Sequence, residues 1–204
     1  LFASCSTQQP QKKFKVGFSQ CTSHDVWRQS MIQEMERELS FHTNIDFILK
    51  EANLNSGVQV QQIHELVNQN IDLLIVSPNE AAPVTPAVDE AYRKGIPVIV
   101  VDRNKKKKNY SAFIGANNYK IGLDAGAFAN TLLKGKGNVI EVGGLQTGSS
   151  ADIGRHNGFT DFIKKYPGIK YTARFIGDWE EKYWDEKFEA LLKANPDLDL
   201  IFSQ

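Results

Sequence analysis

Cysteine is scarce in this chain of 204 residues: Cys5 and Cys21 are its only two, and its four histidines lie far apart in the sequence. Two cysteines do not form the closely spaced sets of ligands that structural zinc sites need. Cys5 also lies in a predicted polar tether, which disfavours a disulfide with Cys21. The sequence therefore predicts no metal site, and the cysteines do not decide the compartment.

An excess of charge of either sign is also missing, because 24 lysines and arginines face 24 aspartates and glutamates. A protein that binds nucleic acid through its phosphates needs a basic surface, so we predict no nucleic-acid partner. The lysine run at 105–108 is short, and we interpret it as a solvated loop. No apolar run reaches the roughly 18 residues that a membrane helix needs.

The usual enzyme motifs are absent as well. The first predicted strand exits through Gly17-Phe18-Ser19-Gln20-Cys21, which is no dinucleotide-binding glycine loop. The chain has no phosphate-binding lysine loop, no nucleophile elbow and no paired histidines of a zinc protease. The glycines of Gly135-Lys136-Gly137 precede a strand, so they do not place a phosphate at a helix N-terminus. These absences favour binding over catalysis, and we predict no cofactor.

Short apolar segments alternate with longer segments of helical periodicity from Phe14 onward. Hydrophobic residues make up 41% of the chain, which suffices for packed cores, and the length suits one or two domains of about 150 residues. The predicted strands cover 14–18, 44–49, 71–76, 96–101, 110–115, 138–142, 171–176 and 198–202, and the predicted helices 25–40, 56–68, 83–94, 119–133, 150–166 and 180–193. This alternation predicts an α/β fold with parallel sheets flanked by helices, in two lobes that meet near Ala116-Asn117.

Ligands of open α/β sheets bind at the carboxyl ends of the strands, so the residues there are the candidates for a site. A monosaccharide needs polar forks for its hydroxyls and flat aromatic rings for its C–H faces. Residues of both kinds follow the predicted strands: Trp27, Arg28, Asp102, Arg103, Asn117, Arg155 and Trp179.

Six of the seven candidates, all but Arg28, also have a purely structural interpretation that the residues alone leave open. The alternatives are a surface ion pair for Asp102 and Arg103, core packing beside Met31 and Met35 for Trp27, an exposed helical position for Arg155, a contact at a helix start for Trp179, and a turn for Asn117.

Five segments in order along the chain resemble a known family: Val16–Gln20 with Trp27-Arg28, Ile71–Asn79, Gly95–Arg103, Ile114–Asn118 and Arg155–Phe159. The family is that of the type I periplasmic sugar-binding proteins, of the ribose-binding kind, whose fold also serves as the sensing domain of sugar-responsive repressors. The resemblance extends from Lys15 to Gln204. No helix-turn-helix precedes Phe14, which disfavours a repressor.

The resemblance implies roles for the candidate residues. Asp102 and Arg103 match the acidic and basic pair that grips sugar hydroxyls from the first lobe. Arg155 matches the hydroxyl-binding arginine of the second lobe, Trp179 matches its stacking aromatic residue, and Asn117 matches an asparagine of the cleft. Trp27-Arg28 is similar to the variant whose members bind furanose sugars.

The segment Asn79-Glu80-Ala81-Ala82-Pro83 departs from the ribose-binding pattern and resembles the sensor domains of bacterial hybrid two-component systems, particularly those that detect fructose. The resemblance therefore implies a periplasmic domain that binds fructose or another furanose, closes about a hinge and signals to a histidine kinase, with a homodimer as a possible assembly. The alternatives are a solute-binding protein that serves a membrane permease of the ABC type and, less favoured, an α/β enzyme that acts on a sugar.

The two ends of the chain add expectations about location and extent. Residues 1–6 resemble the end of a secretory signal with a lipoprotein box, in which Phe2 stands where Leu is usual. We therefore expect residues 1–13 to form a tether with Cys5 lipidated; the alternative is an unmodified Cys5. The lobes are then 14–116 and 117–204, the second one incomplete, in the periplasm of a Gram-negative bacterium. A lipid or a flanking membrane segment would anchor them.

Overall fold

The computed structural model describes residues 12–105, 109–144, 149–177 and 184–204. In these residues eight strands alternate with six helices. In chain order they are β1 (Phe14–Gln20), α1 (Val26–Ser40), β2 (Ile45–Glu51), α2 (Ser56–Asn68), β3 (Leu73–Ser77), α3 (Ala81–Arg93), β4 (Val98–Val101), β5 (Ala112–Ile114), α4 (Asn118–Leu133), β6 (Gly137–Gly143), α5 (Ser150–Ile163), β7 (Ile169–Ile176), α6 (Trp184–Ala194) and β8 (Leu200–Ser203).

The strands form two sheets, which we call the first and the second sheet. The first sheet has the order β2-β1-β3-β4-β5 and the second has the order β7-β6-β8. Every pair of neighbouring strands in both sheets is parallel. The α/β class with parallel sheets and flanking helices is therefore confirmed.

Most boundaries differ from the prediction by a few residues, and two of these differences have a clear physical reason. β1 runs on through Ser19 and Gln20, although these are polar, because β2 and β3 hold it on both sides. α5 ends at Ile163 and not at Tyr166, and the Tyr166 amide instead donates to the Ile163 carbonyl in a turn. Pro167 disfavours a helical conformation for Tyr166, which explains the early end. The predicted start of α6, at residue 180, lies outside the described residues.

Three apolar clusters hold the layers together. The largest packs α2 and α3 against one face of the first sheet, with Ile63, Leu66, Leu74 and Val88 fully buried. A second cluster, around Phe18, joins the opposite face of this sheet to α1. The third lies between α4, α5 and the second sheet. Burial of such side chains supplies most of the stability that orders the strand ends.

The strand order fixes where a site can form. In each sheet the chain leaves the first strand in one direction and later returns to its other side: β1 lies between β2 and β3, and β6 lies between β7 and β8. At such a switch point the two flanking connections diverge and leave a crevice at the carboxyl ends of the strands. The residues that follow β1, β4, β5 and β6 therefore lie at the edges of the sheets where a ligand can bind.

Candidate functional site

A cavity of 660 Å³ lies where the first sheet, the start of α1 and the start of α5 meet. Its polar lining consists of Asp25, Arg28, Asp102, Arg103, Asn118 and Arg155. Its apolar lining consists of Trp27, Met31, Met35, Val101, Ile114, Gly115, Ala116 and Ala151. The lining therefore combines charged groups with aliphatic side chains and one aromatic ring.

Asp102 occupies the exit of β4 in an unusual backbone conformation. Its φ is 61°, in the left-handed region that aspartate tolerates better than most residues. The Arg103 amide donates to the Val101 carbonyl at 2.7 Å, which closes a three-residue turn about Asp102. Gly115 contacts the turn, since a Cβ there would lie 3.0 Å from the Asp102 carbonyl oxygen. The turn places the Asp102 carboxylate at the cavity, at the end of the sheet.

Arg28 lies between two carboxylates. Its Nη1 donates to Asp25 and its Nη2 donates to Asp102, each at 2.7 Å. Only 8% of the Arg28 side chain is exposed. Burial acts to lower the pKa of Arg28, but the neighbouring Cys21, Asp102 and Asp25 outweigh this and raise the pKa above its ordinary value. Asp25 also caps α1 by accepting from the Arg28 amide, so one aspartate fixes both the helix start and the guanidinium.

Arg103 is the most deeply buried of the charged residues in the lining, with 1% of it exposed. Its Nη1 donates to the Asn79 carbonyl at 3.0 Å. Burial lowers the pKa of the Arg103 guanidinium, and the nearby charge of Arg28 adds to this effect. Asn79 is held in turn by Gln59, whose Oε1 accepts from the Asn79 amide and whose Nε2 donates to the Ser77 carbonyl. A buried polar network thus supports the position of Arg103.

Trp27 is 57% exposed, so its indole is not part of the core. The guanidinium carbon of Arg28 lies 5.5 Å from the centre of the indole, within the range of a cation–π contact. Met31 and Met35, one and two turns further along α1, are half-buried against the Phe18 cluster. The three side chains give the cavity an apolar wall that ends in an accessible flat ring.

From the second half of the chain, α5 contributes Arg155. Its Nε donates to Asn118 Oδ1 at 2.9 Å, and both residues line the cavity. Within the described residues, the two Nη groups of Arg155 make no hydrogen bond. They are therefore available to a molecule that enters the cavity.

A buried acidic cluster anchors the start of α5 to the second sheet. Asp152 accepts a hydrogen bond from the Gly144 amide at 2.9 Å and forms an ion pair with Arg174. Fully buried Glu141 accepts a hydrogen bond from the Tyr171 hydroxyl at 2.7 Å and forms an ion pair with Arg174 at 3.3 Å. Burial and the bond to Glu141 raise the pKa of Tyr171 well above its ordinary value. Asp152 precedes Arg155 by less than one helical turn. The cluster that anchors Asp152 therefore also fixes the backbone position from which the Arg155 side chain extends.

The structure brings five of the predicted site residues together at one cavity: Trp27, Arg28, Asp102, Arg103 and Arg155. It places Asn117 elsewhere. Asn117 caps α4, its side chain accepting from the Lys120 amide, and Asn118 lines the cavity instead. Trp179 and Cys5 lie outside the described residues.

The surroundings of Trp27, Arg103 and Arg155 in the structure can be compared with the purely structural interpretation of each residue. Trp27 is exposed and not in the core, and Arg103 is buried and not part of a surface ion pair. Arg155 bonds to Asn118 instead of facing solvent alone. The solvated-loop interpretation is wrong for Lys105, which is buried with its Nζ 2.5 Å from Asp89; residues 106–108 lie outside the described ones.

Sequence reasoning missed three residues that matter here. Gln59 lies one helical turn before Ile63 on the apolar stripe of α2, and a polar residue in such a stripe signals a buried hydrogen bond. Glu141 is likewise a lone charge in the apolar strand β6. Asp25 precedes the first helical residue, which is the position of a capping aspartate.

The arrangement suits recognition of a polar, uncharged molecule. Carboxylates accept hydrogen bonds in pairs, guanidinium groups donate them in pairs, and an accessible ring covers a weakly apolar face. Within the described ranges, no three histidine, cysteine, aspartate or glutamate side chains cluster as a metal site would require. Nor is any helix among these residues both long and apolar enough to cross a bilayer.

Comparison with known proteins shows what the chain as a whole is similar to. The chain is 25% identical to the ribose import binding protein RbsB of Bacillus subtilis over its whole length. It is 30% identical over 88% of its length to the galactofuranose-binding protein YtfQ of Escherichia coli. Among solved structures, the fructose-binding periplasmic domain of a hybrid two-component system superposes with a TM-score of 0.86 at 39% identity, over 94% of this chain.

The chain spans only part of each of these proteins: 68% of RbsB, 57% of YtfQ and 63% of the fructose-binding domain. A family model described as a periplasmic binding protein domain matches residues 16–204. The family consists of binding domains and not of enzymes, as the sequence predicted. Because the match covers nearly the whole chain, this protein belongs to the periplasmic binding protein domain family and has its type I fold.

Proposed function

We propose that this protein binds a monosaccharide in its furanose form, with fructose the favoured ligand, in the cavity between a first lobe of residues 14–116 and a second lobe of residues 117–204. One observation carries the proposal: Asp102, Arg103 and Trp27 of the first lobe and Arg155 of the second lobe line a single cavity. A molecule held by these groups would touch both lobes at once.

The chemistry of each group suits a part of such a sugar. The Asp102 and Asp25 carboxylates accept from vicinal hydroxyls, and the Nη groups of Arg155, which make no hydrogen bond to the described residues, donate to hydroxyl oxygens from the opposite side. The Trp27 ring covers the C–H face. Arg28 is already held by two carboxylates, so it acts chiefly by orienting them. This refines the role that the resemblance implies for Arg28, in which it bonds to the sugar directly.

Hinge closure follows from contacts to both lobes. A ligand that touches both lobes favours the state in which they are close, by as much as its contacts differ between the open and closed states. We propose that the hinge includes Gly115 and Ala116, which follow β5. Closure would change the packing of a homodimer and thereby a membrane-linked histidine kinase.

The sensor role rests on the fructose-binding domain of the hybrid two-component system, which is 39% identical to this chain. The periplasmic location is proposed on the same basis and on the family match. Tethering to the membrane of a Gram-negative cell, by acylation of Cys5 or by a flanking membrane segment, is part of the proposal and rests on the sequence alone.

A second candidate is the solute-binding protein of a sugar transporter. The names of RbsB and YtfQ favour it, since the first is a ribose import binding protein and the second is a galactofuranose-binding protein. The two roles share the same site and differ in the partner. Co-purification from membranes separates them: a sensor is retained by a kinase, whereas a transport protein is retained by a permease.

Isothermal titration calorimetry of the protein at its natural length tests the proposal against fructose, ribose, galactose, arabinose and glucose. We expect fructose to bind with the highest affinity and to be recovered chemically unchanged. Absence of heat with every sugar would refute the sugar-binding assignment. Conversion of a sugar to a product would refute binding without catalysis and favour the enzyme alternative.

A further inference from the structure

We propose that Asn118 positions the guanidinium of Arg155 for the ligand, and that it is Asn118, not the neighbouring Asn117, that acts in the cleft. The inference rests on the proposed function, because the ligand that Arg155 meets is the proposed sugar. Asn118 is the first residue of α4 and Arg155 lies in the second turn of α5, so the pair joins two helices of the second half of the chain.

The hydrogen bond between Asn118 and Arg155 restricts rotation of the Arg155 side chain. Arg155 Nε donates to Asn118 Oδ1 at 2.9 Å. A guanidinium is planar, so an acceptor at Nε fixes the plane in which Nη1 and Nη2 donate. The two Nη groups, which have no hydrogen bond within the described ranges, are thereby presented to the cavity as a fork of fixed orientation.

The backbone geometry makes this orientation rigid. Where α4 and α5 cross, glycines of each helix lie directly against the backbone of the other. A Cβ at Gly122 would lie 2.0 Å from the Arg155 carbonyl oxygen, and a Cβ at Gly158 would lie 2.0 Å from the Tyr119 carbonyl oxygen. A Cβ at Gly154 would lie 2.9 Å from the Cβ of Asn118 itself. The helices therefore touch through their main chains on either side of the Asn118–Arg155 bond, and they carry the two side chains as one unit.

Asn117 has a different task that uses the same chemical group. Its side-chain oxygen accepts from the Lys120 amide at 3.0 Å and caps α4. The cap occupies that oxygen, and the residue does not line the cavity. The two adjacent asparagines thus have different roles. Asn117 is the N-cap of α4, and Asn118 accepts the hydrogen bond from Arg155.

Sugar affinity measured by calorimetry tests the proposal through a double-mutant cycle. Asn118→Ala should weaken binding by about tenfold, as expected for loss of one charge-assisted hydrogen bond, and Arg155→Ala by about a hundredfold. The double variant should bind no more weakly than Arg155→Ala, because Asn118 acts through Arg155. Asn118→Asp, which keeps an oxygen facing Nε, should restore affinity to within about threefold of the wild type.

Asn117→Ala is the matched control: it should lower the melting temperature, because the cap is lost, and leave the affinity unchanged. A further tenfold loss in the double variant, or wild-type affinity in Asn118→Ala, would overturn the proposal. So would a loss of affinity in Asn117→Ala as large as that in Asn118→Ala.

A readout without ligand keeps this inference separate from the proposed function. The Nε–H resonance of Arg155, identified by its loss in Arg155→Lys, should be protected from solvent exchange in the wild type and join the exchanging arginine signals in Asn118→Ala. An unchanged resonance would refute the positioning role. If the wild type binds none of the sugars, the sugar proposal fails, and the resonance still decides whether Asn118 orients Arg155.

Discussion

Replacement of Asp102 by alanine is the perturbation whose cost the structure defines best. The Asp102 carboxylate accepts from Arg28 at 2.7 Å, and Arg103 is buried beside it. Without this carboxylate, the largely buried Arg28 would keep Asp25 as its only carboxylate partner among the described residues. The residue also sits at a φ of 61°, where alanine has no polar side chain to compensate the left-handed conformation.

The two effects can be given magnitudes. Removing one partner of a buried ion pair costs about 3–5 kcal/mol. The Asp102 side chain is 18% exposed and Arg28 keeps Asp25, so we take about 2–3 kcal/mol. The left-handed backbone adds about 1 kcal/mol for alanine. Asp102→Ala should therefore lower the free energy of unfolding by about 3–4 kcal/mol, and Asp102→Asn, which tolerates the backbone and keeps an oxygen, by about 1–2 kcal/mol.

Urea unfolding followed by circular dichroism measures both variants. Asp46→Ala is the matched control, since Asp46 is an exposed aspartate of β2 and its removal should change stability by less than about 0.5 kcal/mol. If Asp102→Ala were as stable as the control, Asp102 would not neutralise the buried arginines, and the reasoning would be refuted. If Asp102→Asn cost as much as Asp102→Ala, the left-handed turn would make no separate contribution.

Three further predictions follow from other parts of the structure. Gln59→Ala removes the partner of buried backbone groups and should lower the free energy of unfolding by about 2–3 kcal/mol, measured by urea unfolding. Gly122→Ala places a methyl group against the Arg155 carbonyl and should cost about 3 kcal/mol while weakening sugar binding, measured by unfolding and calorimetry. The pKa of Tyr171 is raised above its ordinary 10.0, so as the pH rises the unfolded chain loses this proton first. Wild-type stability should therefore fall above about pH 10 more steeply than that of Tyr171→Phe, measured by thermal unfolding across pH.

Each of these predictions has a control in the same chain. Exposed Gln61 on α2 matches Gln59, and Gln61→Ala should be nearly neutral. Gly57→Ala, near the start of α2, meets only the Asn55 side chain at 3.3 Å and should cost less than about 1 kcal/mol. Tyr92→Phe, at an exposed tyrosine, should keep the alkaline slope of the wild type. Equal effects of a variant and its control would contradict the corresponding contact.

Much of the fold follows from periodicity in the sequence. The unbroken apolar run at 71–76 predicts a strand buried on both faces, and β3 is the middle strand of five. The length of β1 cannot be predicted from periodicity, because the polar residues Ser19 and Gln20 extend the strand only through their pairing with β2 and β3. Strand pairing is a property of distant segments, and a local pattern does not contain it.

Only part of the candidate site can be predicted from the sequence, because some of its features depend on contacts between distant segments. Strand ends are visible in the sequence, so the positions of Asp102 and Arg103 at the exit of β4 could be predicted. The choice between Asn117 and Asn118 could not, because either asparagine can cap a helix and only the position of the first helical turn decides which one does. Trp27 shares the spacing of Met31 and Met35, yet it is exposed and lines the cavity, and the spacing alone does not distinguish it from the two methionines.

The central claim is that a furanose sugar lies between the groups of the two lobes. A crystal structure of the protein with fructose tests it most directly. The account predicts a sugar whose hydroxyls bond to Asp102 and to the Nη groups of Arg155, with the Trp27 ring against one face. A sugar bound elsewhere on the protein, or one in the cavity that contacts neither Asp102 nor Arg155, would contradict it.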